Sequence, residues 1–224
     1  MSNSFQSFLH VASIAVPLLS QGLLATIEIS VLAILLAIIL GAILSYFRIS
    51  SNNALKRISG IYIKIFRCTP FMVDVYLAYY GLPMLGIDVS AFWTGVLILG
   101  FYTAAYVAVT LESGFYSVNK GQMESALAIG MSRNYAILRI VFPQTIAVII
   151  PGLTGQFLQT VKDSSILSII TVVELTMMTK EAIGITFSPL FVYLCAAVFY
   201  WAINLILEFV SKNTERKHRQ SHGF

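Results

Sequence analysis

The chain has 224 residues, of which 58% are hydrophobic and 11% are charged, and its formal net charge is +4. Soluble globular domains carry about 25% charged residues, so this composition excludes a soluble domain and indicates an integral membrane protein. The small positive charge does not indicate a nucleic-acid partner, because it is divided unevenly between the polar segments. Cys68 and Cys195 lie in separate apolar segments without the spacing of metal ligands, so neither a disulfide nor a metal site is predicted.

Five apolar segments are each long enough to cross a bilayer, which takes about 20 residues of α-helix. A further segment, Phe5–Leu19, precedes them. Because Pro17 interrupts its apolar run, this segment is predicted to be an interfacial helix that leads into the first span. We therefore predict an all-α integral membrane fold with five transmembrane helices: Leu23–Phe47, Ile65–Leu82, Phe92–Leu111, Val141–Val161 and Pro189–Val210.

The distribution of Lys and Arg predicts the orientation of these spans. Of the 14 basic residues, only Lys162 and Lys180 lie on one side of a five-span topology, and the rest lie in segments 48–67, 112–140 and 211–224. Cytoplasmic segments of membrane proteins are rich in Lys and Arg, so the N-terminus is predicted outside and the C-terminus in the cytoplasm. We treat 1–224 as a single domain, with a membrane core at 22–211, a cytoplasmic loop at 112–140 and a charged tail at 212–224.

The central polar segment, Lys120–Pro143, interrupts two long apolar runs. Its pattern predicts a short helix over 121–129 that presents small residues, ended by Gly130 in the left-handed conformation. Ser132 then caps a second helix that runs towards Ile140. A short helix held beside the membrane by two spans is suited to docking into a groove on another protein. An ordinary connecting loop is the alternative.

A polar stripe is predicted at the end of the fourth span. Gln156, Gln159 or Thr160, and Asp163 are spaced so that they share one face of a helix. A Pro-Gly pair at 151–152 interrupts the helix just before them, and interrupted helices often hold transported solutes, because freed backbone groups line a cavity. A carboxylate there suits the ammonium group of an amino acid, and neutral amides and hydroxyls suit its other end. The alternative is an interfacial ion pair with the preceding lysine.

Asp74 lies within the second predicted span. A charge at membrane depth costs about 2.5–3.5 kcal/mol on insertion scales, so it normally faces a wet cavity or a partner. Two roles remain open for this carboxylate, which are contact with a transported substrate and pairing within the helix bundle. A short helix is also predicted between Lys162 and Thr186, after the polar break at 163–165.

Several motifs follow one another in order from Pro17 to Glu174, and together they resemble the permease subunits of ABC importers. One set resembles the cytoplasmic EAA loop of that family: Gly121-Gln122, Glu124-Ser125-Ala126, Gly130, Ile140 and Phe142-Pro143-Gln144. The other set resembles the polar amino-acid branch: Thr26, Ser30, Phe66-Arg67-Cys68-Thr69-Pro70, Tyr80-Gly81-Leu82-Pro83, Ala104-Ala105-Tyr106 and Lys162-Asp163-Ser164-Ser165.

The resemblance implies a type I-like permease fold in the cytoplasmic (inner) membrane. It also implies several partners, namely cytoplasmic ABC ATPase subunits, a second permease subunit, an extracytoplasmic solute-binding protein, a polar amino acid and membrane lipid. The residues implied in ATPase coupling are Gly121, Glu124, Ser125, Ala126 and Gly130. The candidate substrate-binding residues are Asp163, Gln156, Thr160, Tyr106, Asp74 and Ala105.

The chain departs from the family pattern at several positions, which implies an altered pocket. Relatives usually carry Gln, Glu, Arg, Asn and Gly, respectively, where this chain has Asp74, Val109, Glu112, Gly155 and Cys68.

The predicted function is import of a polar amino acid by alternating access, driven by ATPase subunits on other chains. No stretch fits the GxxxxGK[ST] phosphate-binding loop, so the chain is not predicted to be an enzyme, and no cofactor is implied. Two alternatives remain. One is an ion-coupled secondary carrier, which would depend on a proton or sodium gradient. The other is a membrane scaffold that recruits a cytoplasmic partner and moves no solute.

Overall fold

The structure is a computed structural model that describes residues 2–222, with side chains described for residues 9–213 other than 134 and 147. The described residues form nine α-helices and no strand. A π-helical turn, Ile137–Val141, joins α6 to α7, and a 3₁₀ helix, Ser164–Ile170, follows α7. The α-helices are α1 (Ser2–Ile49), α2 (Asn53–Cys68), α3 (Phe71–Met84), α4 (Ala91–Ser117), α5 (Lys120–Ala128), α6 (Arg133–Ala136), α7 (Phe142–Asp163), α8 (Leu175–Thr186) and α9 (Pro189–His222).

The first helix is continuous through Pro17, so the prediction of a separate interfacial helix at Phe5–Leu19 is wrong. Proline removes one backbone donor from a helix and crowds the carbonyl four residues earlier. Here that cost is outweighed by packing, because Ala15 and Leu19 on either side of Pro17 are fully buried against α8 and α9. Tertiary contacts of this kind routinely override local propensity.

Among the described residues, three helical segments are long and apolar enough to cross a membrane, at Leu9–Ile49, Ala91–Ser117 and Pro189–Asn213. The bent pair Ile137–Ile146 and Val148–Ile170 brings the number to four if it counts as one span. The second predicted span, Ile65–Leu82, is not a single helix, because the chain breaks between α2 and α3. Pro70 lacks a backbone N–H and holds the residue before it in an extended conformation, which ends α2.

The fourth predicted span bends at a different position from the one expected. The α7 helix runs without a break through the Pro-Gly pair at 151–152, and the 43° bend lies between Ile146 and Val148. The carbonyl displaced by a proline belongs to the residue four positions earlier, which for Pro151 is residue 147. The predicted interruption at residues 151–152 is therefore absent, and the bend lies one turn earlier, at the position where Pro151 crowds the helix.

The short helix predicted after residues 163–165 is confirmed as α8, and a buried carboxylate fixes its first turn. Glu174 is fully buried and accepts hydrogen bonds from two backbone N–H groups of that turn at 2.8 and 2.9 Å. The Tyr200 hydroxyl of α9 donates to it at 3.1 Å, and the Thr26 hydroxyl of α1 accepts from the Leu175 N–H at 3.0 Å. These bonds join α8 to both α1 and α9.

The centre of the fold is the contact between α1 and α4, which is built from small residues. Ala33 and Ala37 of α1 and Ala104 and Ala108 of α4 are all fully buried. At Gly41 an added Cβ would lie 2.5 Å from Cγ1 of a valine on α4. Small residues allow two apolar helices to approach closely, which is how helices associate in membranes.

Gly41→Val is expected to destabilise the protein by about 1–3 kcal/mol, because overpacking a close helix contact forces shifts of side chains and backbone. Thermal unfolding of the purified protein in detergent measures the change. Gly184→Val is the matched control, since an added Cβ at Gly184 meets nothing within 4 Å. Equal stability of the two variants would contradict the proposed role of the α1–α4 contact.

Candidate functional site

A cluster of aromatic side chains lies near the middle of α4, and a guanidinium group covers one of its rings. The hydroxyls of Tyr102 and Tyr106 are hydrogen-bonded at 3.1 Å, and their ring centroids are 5.1 Å apart. Phe71, the first residue of α3, packs on Tyr102 with a centroid distance of 4.6 Å. The guanidinium carbon of Arg67 lies 5.4 Å from the centroid of the Tyr106 ring, which is the geometry of a cation–π contact.

Two carboxylates, Asp163 and Asp74, lie near this cluster. Asp163, at the end of α7, is half-buried, and its Oδ1 accepts a hydrogen bond from Gln159 Nε2 at 2.8 Å. Asp74, in the first turns of α3, is only 6% exposed, and its Oδ2 has no hydrogen-bond partner among the described residues. The cluster therefore combines one cation, two carboxylates and two phenols.

The predicted polar stripe of α7 is divided between an accessible part and a buried part. Gln156 and Asp163 are half-buried, and Gln159 is exposed. Thr160 is fully buried, and its Oγ1 donates to the carbonyl of Gln156 at 2.9 Å and lies 3.1 Å from the Thr103 hydroxyl of α4. Of the two alternatives at this position in the stripe, Gln159 is thus the one that faces outwards, and Thr160 joins α7 to α4.

The two candidates on α4 lie in different surroundings. Tyr106 is half-buried and belongs to the aromatic cluster. Ala105 is fully buried in the core that α1, α2 and α4 form together, so it shapes the helix packing beneath the cluster.

Arg67 is a site residue that the sequence did not predict, because it lies among the basic residues of a predicted polar loop. In the structure it lies in the last turn of α2, beside the middle of α4. The available signal was its position in the Phe-Arg-Cys-Thr-Pro motif. A proline there ends the helix, and ends of broken helices are where polar side chains gather in membrane proteins.

The short helix predicted at 121–129 is confirmed as α5, and its exit turn has the predicted geometry. Gly130 has a φ of +84°, and its N–H bonds to the Leu127 carbonyl at 3.0 Å. The N–H of Met131 bonds to the Ala126 carbonyl at 3.1 Å, which completes a Schellman motif. At the other end of the helix, the Asn119 side chain accepts from the N–H of residue 121 at 2.9 Å.

The surface of α5 and of the segment after it is both polar and apolar. Glu124 and Ser125 are exposed, whereas Ala126 is 2% exposed and packs inwards. The same stretch of chain also exposes apolar side chains: Leu127, Ile129, Tyr135, Leu138 and Phe142. A short, capped helix with such a mixed surface is suited to contact with another protein.

The end of α4 that leads into α5 is attached to α1 by an ion pair. Arg48 Nε donates to both carboxylate oxygens of Glu112, at 2.9 and 3.1 Å. The family pattern usually has Arg at position 112. This chain has Glu112 there, and an arginine on the neighbouring helix, Arg48, pairs with it.

Comparisons with known proteins identify the family of this chain. The family model described as "binding-protein-dependent transport system inner membrane component" matches residues 33–220. The glutamine transport system permease protein GlnP of Escherichia coli is 31% identical over 91% of this chain and 94% of its own length. The arginine transport system permease protein ArtQ of Bacillus subtilis is 30% identical over 90% of this chain and 93% of its own length.

Solved structures show the same fold. The crystal structure of an amino acid ABC transporter with histidines contains a chain that is 30% identical, with a TM-score of 0.88, over 94% of this chain and 98% of that one. A chain of the methionine ABC transporter MetNI is 17% identical with a TM-score of 0.71, over 90% of this chain and 96% of that one, and it supports the fold alone. Since the family model covers most of its length, the chain belongs to the inner-membrane components of binding-protein-dependent transport systems.

Proposed function

We propose that this permease subunit moves a polar amino acid through a site formed by Arg67, Tyr106, Gln156 and Asp163. The observation that carries the proposal is that a guanidinium group and a carboxylate both lie beside the hydrogen-bonded pair Tyr102 and Tyr106. Arg67 covers Tyr106, and Asp163 lies near Tyr102. Relatives named for glutamine, cystine and arginine transport support an amino acid as the solute.

Each group of the site has a role that follows from its chemistry. Asp163 meets the ammonium group of the substrate, and Arg67 meets its carboxylate, because planar guanidinium groups suit carboxylates. Tyr106 and Gln156 supply neutral hydrogen bonds to the polar end. Gln159 donates to Asp163 at 2.8 Å and so orients that carboxylate. Thr160 and Ala105 act by positioning α7 and α4.

This arrangement favours a zwitterionic substrate with a neutral side chain. One accessible carboxylate and one guanidinium balance the two charges that every amino acid carries. Asp74 would add a second negative charge, but this side chain is only 6% exposed. A cationic side chain would therefore need α3 to move before it could reach that carboxylate.

The site lies where a broken helix would cross the membrane. In the proposed five-span topology, the second crossing runs over Ile65–Leu82, so it begins in the last turn of α2 and continues through α3, with the break at Thr69–Pro70 next to Arg67. Polar groups are tolerated at membrane depth where irregular backbone lines a cavity. A second permease subunit would enclose the half-buried residues of the site, and relative movement of the two subunits would open it to one side at a time.

Coupling to ATP hydrolysis is assigned to α5 on the cytoplasmic side. Glu124 and Ser125 would contact an ABC ATPase subunit, and the apolar residues beside them would fill its groove. Gly121 and Ala126 place small residues on the inner side of α5, and Gly130 sets the direction of the chain after the helix ends. The ion pair between Arg48 and Glu112 supports this role, because it lets movement of α5 act on α1 as well as on α4.

Asp163→Asn is expected to raise the KM for uptake about tenfold or more, because a hydrogen bond to a charged group contributes about 1.5–3 kcal/mol. Uptake by the complete transporter in proteoliposomes measures the effect. Glu181→Gln, which neutralises an exposed carboxylate on α8, is the matched control. Unchanged kinetics in Asp163→Asn at equal expression would remove Asp163 from the site.

Gly130→Val is expected to abolish stable association with the ATPase, because a β-branched residue at a φ of +84° is strongly disfavoured. Co-purification of the ATPase with the tagged permease is the measurement. Gly130→Asn serves as the control, since Asn tolerates the left-handed region. Full ATPase association and full transport in Gly130→Val would show that α5 is not the docking element.

The orientation is tested by labelling single cysteines in a chain that lacks Cys68 and Cys195. A cysteine at Ser117 should react with an impermeant reagent only after the membrane is opened. A cysteine at Asp88, in the loop between α3 and α4, should react in intact cells. The reverse pattern would overturn the proposed topology.

A different measurement distinguishes the ATP-driven importer from the secondary carrier. Uptake that follows a proton or sodium gradient without ATP would favour the secondary carrier.

A further inference from the structure

A cleft with four cationic side chains lies between the end of α1 and α2. Its volume is about 310 Å³. We call it the basic cleft, and its lining residues are Arg48, Lys56, Arg57, Gly60, Ile61 and Lys64. It is separate from the proposed amino-acid site, and an inference from it goes beyond the transport function.

The basic cleft carries a surplus of positive charge. Arg48 is paired with Glu112 through its Nε atom. The other three cations, Lys56, Arg57 and Lys64, form no ion pair with any residue in the described part of the chain. Like charges that share one cavity repel each other, so an anion bound between them lowers the free energy of the cleft.

An apolar strip runs along α2 beside the cations. Ile58, Ile61 and Ile65 are 58%, 60% and 54% exposed, and their spacing puts them on one side of the helix. The remaining side of α2, which is neither cationic nor exposed and includes Ser59 and Ile63, is buried against the bundle. One helix therefore presents a cationic edge and an apolar edge side by side, as basic amphipathic helices do at membrane surfaces.

The basic cleft also lies at the expected level of a bilayer surface. Arg48 is the penultimate residue of the apolar segment Leu9–Ile49, and Lys56 and Arg57 lie in the first turns of α2, directly after the polar connection. Long Lys and Arg side chains place their charges at the headgroup level while their stems cover apolar surface. Lys64, two turns further along, can reach the same cavity in this way.

We propose that the basic cleft binds the phosphate of an anionic phospholipid, whose acyl chains lie along the isoleucine strip. A free phosphate ion would use the cations and leave the strip uncovered. An acidic surface of a soluble partner would meet the cations at the membrane boundary but would not reach the apolar edge. Only a charged amphiphile in the bilayer matches both edges of α2.

The test uses the full-length chain purified with its ATPase subunits. Native mass spectrometry with added phosphatidylglycerol measures lipid binding to the wild type and to the triple variant K56Q/R57Q/K64Q. Each basic residue near an anionic headgroup contributes about fivefold to binding, so the triple variant should bind about a hundredfold more weakly. The matched control, R139Q/K180Q/K212Q, removes three charges from separate places and should bind as the wild type does.

A second variant tests the shape of the basic cleft without changing its charge. Gly60→Leu fills the cavity and keeps all four cations, and an added Cβ there meets only Arg48 Nη1, at 3.5 Å. It should also weaken phosphatidylglycerol binding, and it keeps the proposal testable should the triple variant fail to assemble. Phosphatidylcholine should show no difference between the variants and the wild type.

Three results would overturn the proposal. The first is unchanged phosphatidylglycerol binding in both cleft variants. The second is displacement of the bound lipid by inorganic phosphate at equal concentration, which would identify a site for free phosphate. The third is loss of ATPase co-purification with lipid binding intact, which would assign the basic cleft to an acidic protein surface.

Discussion

The backbone of a chain in an apolar medium has to satisfy its own hydrogen bonds, and this requirement determines where polar chemistry can occur in the fold. Long helices meet it over most of the described residues. Prolines disturb it, and Pro70 ends α2 while Pro151 bends α7 at residue 147. Arg67 lies at the first of these disturbances, and Gln156 and Asp163 follow the second. The accessible polar residues thus gather where the helices are irregular.

The close contact between α1 and α4 gives these irregular elements a rigid support. Alanines and Gly41 bring the two helices together, and the other helices pack around the pair. The Tyr102–Tyr106 pair extends from α4 towards α2 and α7, and the ion pair at Glu112 joins α1 to the same helix close to α5. The α4 helix therefore carries part of the proposed solute site and also leads into the proposed coupling element. A movement of α5 can act on the site through this one helix.

Prediction from the sequence succeeded best where one local pattern decides the outcome. The exit turn at Gly130 is an example, since the left-handed conformation there depends on a residue that tolerates a positive φ and on little else. The polar stripe of α7 was predicted from helical periodicity, but periodicity does not say which side a neighbouring helix covers. Thr160 is covered by Thr103 of α4, whereas Gln159 is exposed.

By itself, the sequence determined the membrane class, the all-helical fold, the α5 helix and its family resemblance, because these follow from composition, local conformation and ordered motifs. Only the tertiary structure decided that α1 continues through Pro17, that Arg67 belongs with Tyr106, and that Asp74 is buried beside Tyr102. The physical reason is the same in each case. These outcomes depend on contacts between residues far apart in the chain, whose packing energy outweighs the local preferences that a sequence pattern records.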